Sequence, residues 1–505
     1  MTRLDGYVAD MEYVHNFCRE LGPSFLNFVL AMQGFEPLSL DRGFSHCDLG
    51  CGQGLSTNIF ATCHPEGRFH AIDFNHAHIM GARELARKAG LENVWFWQAS
   101  FGDLGSLDLP YFDFITLHGV YSWIDSTNRK HIVDFIRRKL KAGGVVYVSY
   151  NCLPGWSSVS PLRQLLISSA DMQSDSLEEQ MNTAIEFVGQ LKSMNVAYFS
   201  QNPSAGNFFD NLSKRSRNYL AHEYFNEHWV PFYHGDVVKD FAPAEISFVA
   251  SASFVDNLDF LRFSLEEQQL LQGIENSVLK ETVKDFTVNQ QFRRDLFSKG
   301  RRRQAQTDHQ LPLSRCRFAL VVPREKVTMT ASFPRGEAHF DPELFEPVLN
   351  ALAEQQCSMD ELMRKPVIAR FGNERIDQAL MVLLCAGYIL PAAEPSPQAW
   401  ASTRLFNYAM LERTALNTES QYLASPVVQS GIQLDWVQRS LLLCELTDCG
   451  DPFSFVSGLM REHGYALLRD DAVLLTWEEN LQELARQIRI FRTSQLPLLK
   501  RLGVA

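Results

Sequence analysis

The sequence predicts an α/β protein whose first third forms a doubly wound parallel sheet, followed by largely helical middle and C-terminal domains. Three observations carry this. Residues 45–54 (SHCDLGCGQG) read as a short strand, a turn of alternating glycines and the start of a helix. From 45 to 150, apolar runs of strand length alternate with segments of helical period. Asp73 and His118 stand at predicted strand ends, where ligands of such sheets bind.

Taken in order, residues 7–34 predict two helices broken at Gly22-Pro23, and Phe25, Phe28, Val29 and Met32 form a core-facing stripe. Tyr7, Tyr13 and His15 lie ahead of that stripe. Strands are predicted at 45–49, 68–73, 93–98, 112–118 and 144–150, and helices at 55–63, 76–89 and 127–140. Strands separated by helices imply right-handed crossovers and a parallel sheet. Residues 157–300 read as mostly helical. Within them 236–254 predicts a helix and then a strand at Ile246–Ala250, which would return to the sheet. Residues 312–393 read as a strand, two or three helices and a closing Gly387-Tyr388-Ile389-Leu390-Pro391, compatible with a winged-helix-like module. Further helices follow, ending at Trp477–Leu502.

The glycine turn narrows the ligand. Gly50, Gly52 and Gly54 let the backbone take positive φ and approach a ligand closely. The helix after them offers unpaired N–H groups. The dinucleotide fingerprint G-x-G-x-x-G would need a glycine where Leu55 stands, and Asp48 would repel a pyrophosphate. The pattern D-x-G-x-G-x-G instead resembles the first motif of class I S-adenosylmethionine-dependent methyltransferases. That resemblance implies a Rossmann-like sheet, seven-stranded in the family, with the turn (Asp48, Gly50, Cys51, Gly52) against the methionine end of the cofactor. It implies that Asp73 accepts hydrogen bonds from the ribose hydroxyls, with a helix N-cap as the alternative role for that carboxylate. Phe74 would pack on adenine, and the Ser100–Phe101 loop would recognise it, although Ser100 stands where the family commonly has Asp. N-terminal segments in this class often fold over the cofactor as a lid, which makes Tyr13 a candidate contact. Packing on the sheet is its alternative.

Composition bounds the partners. The chain has 505 residues, 46% of them hydrophobic, and a net charge of −12. That length suggests about three domains. The acidic balance disfavours sequence-independent nucleic-acid binding, which needs a basic footprint. Arg293, Arg294, Lys299, Arg301, Arg302 and Arg303 form the one marked basic cluster, read as a solvated helix end and linker. The ten cysteines show no C-x-x-C and no zinc spacing, so no metal site is expected, and buried thiols in a reducing compartment are. With neither a signal pattern nor an apolar run of membrane length, a cytoplasmic protein is expected. A homodimer is compatible with the sequence.

After the fourth strand come His118-Gly119-Val120-Tyr121-Ser122-Trp123-Ile124, and the fifth runs into Ser149-Tyr150-Asn151-Cys152-Leu153-Pro154-Gly155-Trp156. No D/N-P-P-Y/F motif of the methyltransferases that act on exocyclic amines of DNA bases is present. These stretches, with His222-Glu223-Tyr224-Phe225, Pro231-Phe232-Tyr233, Phe292–Leu296 and Leu423-Ala424-Ser425-Pro426, resemble bacterial methyltransferases with an appended regulatory domain. That group includes outer-membrane-protein lysine methyltransferases, and the likeness spans nearly the whole chain. It implies a methyltransferase core at 1–156, its sheet completed from 232–262, a middle or regulatory domain at 157–305, the winged-helix-like module at 306–393 and a helical domain at 394–505. It further implies a protein lysine as acceptor, with a small-molecule acceptor and a cofactor-binding regulator without catalysis as alternatives. Tyr121, Trp123, Tyr150 and Trp156 are then candidates to line the acceptor pocket. His222 is a candidate proton acceptor, and His118 a cofactor contact first and a catalytic group second. For each aromatic, plain core packing is the competing role.

Overall fold

The computed structural model describes residues 3–4, 7–8, 17–170, 177–212, 226, 228–301, 316–417, 421–469 and 472–505. Its centre is a sheet of seven strands: β1 (Ser45–Leu49), β2 (Arg68–Asp73), β3 (Val94–Gln98), β4 (Phe112–Leu117), β5 (Leu140–Asn151), β6 (Ser247–Ser251) and β7 (Phe292–Ser298). Their order is β3-β2-β1-β4-β5-β7-β6. The first five are parallel, and β7 runs antiparallel to both β5 and β6.

Helices cover both faces, as right-handed crossovers require. One face receives α1 (Pro23–Met32), α2 (Leu55–Cys63) and α3 (His76–Lys88), packed on Phe69, Ala71, Phe114 and Tyr147. The other receives α4 (Ser126–Lys139), whose Ile132, Phe135 and Ile136 meet Ile115, Val146 and Val148. Because side chains alternate along β5, Tyr147, Ser149 and Asn151 share the first face, and Val146, Val148 and Tyr150 the second.

Two differences from expectation have physical causes. β5 begins four residues before the predicted Gly144: Leu140 already pairs with Phe112, and the register then shifts between Phe112 and Phe114. The Gly143-Gly144 pair is therefore an irregularity inside an extended segment. The second difference is β7. Arg293 and Arg294, read as a helix end, lie in this strand next to the sheet's edge, and Arg293 is only 4% exposed. Lys299 and Arg301 bond to the carbonyls of Arg137 and Gly143, so the described part of the cluster is tied into the sheet's end. Arg302 and Arg303 lie outside the described residues.

The described residues between 160 and 288 are largely helical, including α5 (Ser160–Ala170), α6 (Leu177–Ser193), α7 (His234–Phe241) and α8 (Ser277–Val288). Between 317 and 392 a three-stranded antiparallel sheet has Arg317–Leu320 at its centre, flanked by Cys357–Ser358 and Ile389–Ala392. It is backed by helices Pro342–Glu354 and Gly372–Cys385. The C-terminal helices share one core with Leu55, Ile59 and Cys63 of α2 and Leu85 and Ala89 of α3, which is why every residue of α2 is buried. Cys444 and Cys449 form a disulfide, and the other eight cysteines are free. No helix among the described residues is long and apolar enough to cross a membrane.

Candidate functional site

At the carboxyl ends of β1 to β4 the strand-to-helix loops leave a cleft of about 880 Å³. Gly50, Gly52, Asp73, Phe74, Ser100, Phe101, His118 and Trp123 line it, and among them are most of the residues named from sequence. Ala99, Val120 and Ile124 add apolar walls.

The glycine turn is shaped by what surrounds it. Gly50 and Cys51 donate their N–H groups to the Ile72 carbonyl at 2.8 and 3.1 Å, which pins the turn to β2. Gly50 has φ +76°, and a Cβ there would lie 2.5 Å from Val120 Cγ2 of the loop after β4. Gly52 has φ +53° with open space where its Cβ would be, so a ligand can rest directly on its backbone. Gly54 has φ +68°, and its missing Cβ would fall 2.6 Å from the Phe96 ring and 2.7 Å from Ala82. Gly54→Ala is accordingly expected to destabilise the fold by about 2–4 kcal/mol, combining left-handed strain and overpacking. Denaturant midpoints followed by circular dichroism would check it, and an unchanged midpoint would refute the account.

Asp73 is the polar centre of the cleft. Its Oδ2 accepts the Gly52 N–H at 2.9 Å and its Oδ1 the Asn75 N–H at 2.9 Å, with His78 Nδ1 at 3.4 Å. Asn75, not Asp73, caps α3, accepting the N–H groups of Ala77 and His78. Phe74 and Phe101 supply rings to the cleft. The Ser100 hydroxyl donates to Asp103 Oδ2 at 2.6 Å in a capping box, so that hydroxyl is engaged within its own loop.

Asp48 and Cys51 are not among the cleft residues. The Asp48 carboxylate lies under the turn, 3% exposed, accepting from Thr57 at 2.8 Å and Thr116 at 3.3 Å. Burial pushes its carboxyl up to about 6, against the pull of those two hydroxyls. It braces β1 against α2 and β4. Cys51 packs beside α3.

His118 forms a hydrogen bond with the Tyr147 hydroxyl at 2.8 Å, and the Phe292 ring meets it edge-on at 5.9 Å. Burial lowers its pKa to about 4, which leaves it neutral and a weak base at pH 7. The structure turns Tyr121 and Tyr150 away from the cleft. Tyr121 is fully buried between Phe232 and Phe241 and donates to Asp240 at 2.9 Å. Tyr150 donates to Asp295 at 2.6 Å on the opposite face of the sheet from His118. Burial raises both phenols, so neither is available as a base. Tyr13 and His222 lie outside the described residues.

Trp123 carries the wall onward. Its ring is 6.4 Å from Trp229, which is 5.0 Å from Trp156, and Trp156 reaches Phe208 at 5.7 Å. A strap at 228–232 holds this row, with Val230 N–H on the Ser122 carbonyl and Phe232 N–H on the Asn151 carbonyl. Trp229 was not singled out from sequence, because nothing local marks a loop tryptophan that becomes a wall only by tertiary contact.

Comparison with known proteins gives the same picture. Residues 40–212 match a family model described as a methyltransferase domain, and residues 216–299 one described as a predicted methyltransferase regulatory domain. An uncharacterized protein of Synechocystis sp. is 36% identical over 507 residues, covering 100% of both chains. Among solved structures, PKMT2 from Rickettsia typhi in complex with AdoHcy superposes with a TM-score of 0.71 at 17% identity. That match covers 97% of this chain and 100% of the other. A second structure of PKMT2 gives 0.71 at 18% identity, with 98% and 100% coverage.

Proposed function

We propose a protein lysine as the methyl acceptor of this chain, which belongs to the S-adenosylmethionine-dependent methyltransferases that carry a regulatory domain. The cofactor fits the cleft: open backbone at Gly52, a carboxylate at Asp73 for ribose hydroxyls, and Phe74 and Phe101 for a flat base. Bound there, it would supply a methyl group on a sulfonium, an electrophile for a nitrogen lone pair with a neutral thioether as leaving group. The chain's own residues have the remaining tasks of placing the acceptor, excluding water and keeping the nitrogen neutral.

The observation that carries the lysine reading is the aromatic row Trp123–Trp229–Trp156–Phe208, which continues the cleft wall toward the middle helices. Such a row suits a long aliphatic stem that ends in a cation, because indole faces attract ammonium and shed water. Desolvation along it lowers a lysine pKa from about 10.4 toward the range where the amine is neutral. A small acceptor would need a closed pocket at the cleft and no such extension. With His118 at about 4, the acceptor proton is expected to leave to solvent as the ammonium is desolvated along the row, and not to His118.

The test is transfer of labelled methyl from S-adenosylmethionine to size-fractionated bacterial lysate, followed by mass spectrometry of the labelled species. Methylated lysine in protein is the expected result. Label confined to small molecules, or found only on carboxylates or hydroxyls, would sink the reading.

A further inference from the structure

Asn151 stands where three elements meet behind the cleft. It is the last residue of β5, its N–H donates to Ser122 Oγ at 2.9 Å, and its carbonyl accepts the Phe232 N–H at 2.9 Å. Its register partner across the sheet is Phe292. Its side chain shares a face with Tyr147 and Ser149, and both of these reach the cleft wall. Tyr147 bonds His118, and the Ser149 hydroxyl accepts the Gly119 N–H at 2.8 Å. The third member of this ladder is Asn151 itself. Asn151 is 6% exposed, and its Nδ2 is buried with no hydrogen-bond partner among the described residues. An unsatisfied buried amide costs roughly 1–3 kcal/mol, so one that backbone bonds hold in place on both sides calls for a ligand.

We propose that Asn151 is the acceptor-binding residue, its carboxamide holding the incoming nitrogen beside the Phe292 ring. The inference rests on the amine-acceptor reading above and adds to it the group that orients the nucleophile. A neutral amine has two N–H donors and one lone pair. When the carboxamide oxygen accepts one N–H, the lone pair is left free to point at the methyl group. The amide can present oxygen or nitrogen at the buried position by a half-turn of its terminal torsion, and no internal partner fixes either. Carboxylates and alcohols gain less here. An ionised carboxylate has no N–H to give, and a hydroxyl bonded through its only hydrogen keeps no second donor for orientation.

The experiment needs no acceptor protein. Sinefungin is the cofactor analogue in which an amine-bearing carbon replaces the methylated sulfur, so its amine stands in the place of the transferred methyl, within reach of a group that holds the acceptor nitrogen just beyond it. Calorimetry on the full chain would compare sinefungin with S-adenosylhomocysteine. Wild type is expected to bind sinefungin about tenfold more tightly. Asn151→Ala is expected to erase that preference while S-adenosylhomocysteine binding stays within twofold. Asn151→Asp, which keeps an acceptor, should retain the preference. Asn151→Leu, near in shape and without polar atoms, serves the same comparison should the truncated variant not fold. Equal loss for both ligands would mean a merely structural role and overturn the proposal, as would a wild type without preference or an Asn151→Ala that keeps it. Failure of the lysine reading would show separately, as label on no protein lysine in an enzyme that still distinguishes the two ligands.

Discussion

Asp73→Ala is expected to weaken S-adenosylmethionine binding about a hundredfold, read by calorimetry against wild type. The reason is the donor count around this carboxylate. Its oxygens accept the Gly52 and Asn75 N–H groups, and the remaining lone pairs face the cleft, where two ribose hydroxyls would complete them. Hydrogen bonds to a charged group contribute roughly 1.5–3 kcal/mol each, and 1.4 kcal/mol is about tenfold, so losing two at the lower end of that range gives about this factor. Asp73→Asn separates the terms. It keeps an acceptor for the Gly52 N–H while losing the charge, so about a tenfold loss is expected. Should Asp73→Ala bind within twofold of wild type, the carboxylate only braces the turn and the ribose lies elsewhere.

The parts of this fold that were legible in the sequence are those where local pattern and tertiary role coincide. β1, β2 and β4, with α3 and α4, were predicted nearly to the residue because these strands are buried on both faces and these helices have one apolar stripe. The cleft was legible for the same reason: glycines at a strand–helix junction and a carboxylate at the next strand end mark it before any packing is known. β7 was illegible. Its Phe292-Arg293-Arg294-Asp295 begins with charges that point to both faces, and their burial makes sense only with Asp285, Glu281 and Glu20 in place, none of them in the same strand. Tyr121 and Tyr150 misled in the opposite direction. Both look like site residues, but the turn after β4 buries Tyr121 against Phe232 and Phe241, where Asp240 takes its hydroxyl, and the alternation along β5 sends Tyr150 to the far face, where Asp295 takes its hydroxyl. One residue further on, that alternation turns Asn151 to the face of the cleft.

The second large effect concerns that far face. Arg293 is buried among three carboxylates, bonding Asp285 at 2.7 Å, Glu281 at 2.9 Å and Asp295 at 3.0 Å, and Asp295 also accepts from Tyr150 and His234. Burial drives all three carboxyls upward. Arg293 together with His234 and Tyr150 outweighs it for Asp295, and Arg293 with Lys284 for Glu281, so both lie below their ordinary values; at Asp285 burial prevails and the carboxyl stays at about 6. Arg293→Met removes the charge at similar volume and leaves the carboxylates uncompensated, so a loss of roughly 3–5 kcal/mol at pH 7.5 is expected. The pH dependence fixes the cause. In wild type, Asp295 and Glu281 bind protons less readily folded than unfolded, so their contribution is complete above the ordinary carboxylate range and is lost as pH falls through their lowered values. In the variant, burial is opposed only by Tyr150 and His234 at Asp295 and by Lys284 at Glu281, so all three carboxyls bind protons more readily than in folded wild type, and the stability gap between the two proteins narrows as pH falls from 7.5 toward 5. Denaturant midpoints of both proteins at pH 5, 6 and 7.5 should therefore converge toward acid, and a gap that does not change with pH would show that Arg293 acts through packing instead. The network has a consequence for the site. Tyr150 and Cys152, which bond Asp295 and Asp285, flank Asn151 in sequence, so the charges on one face of β5 fix the carboxamide presented on the other. Arg293→Met folded at pH 5 to 6 should for that reason keep its S-adenosylhomocysteine affinity and lose part of its preference for sinefungin.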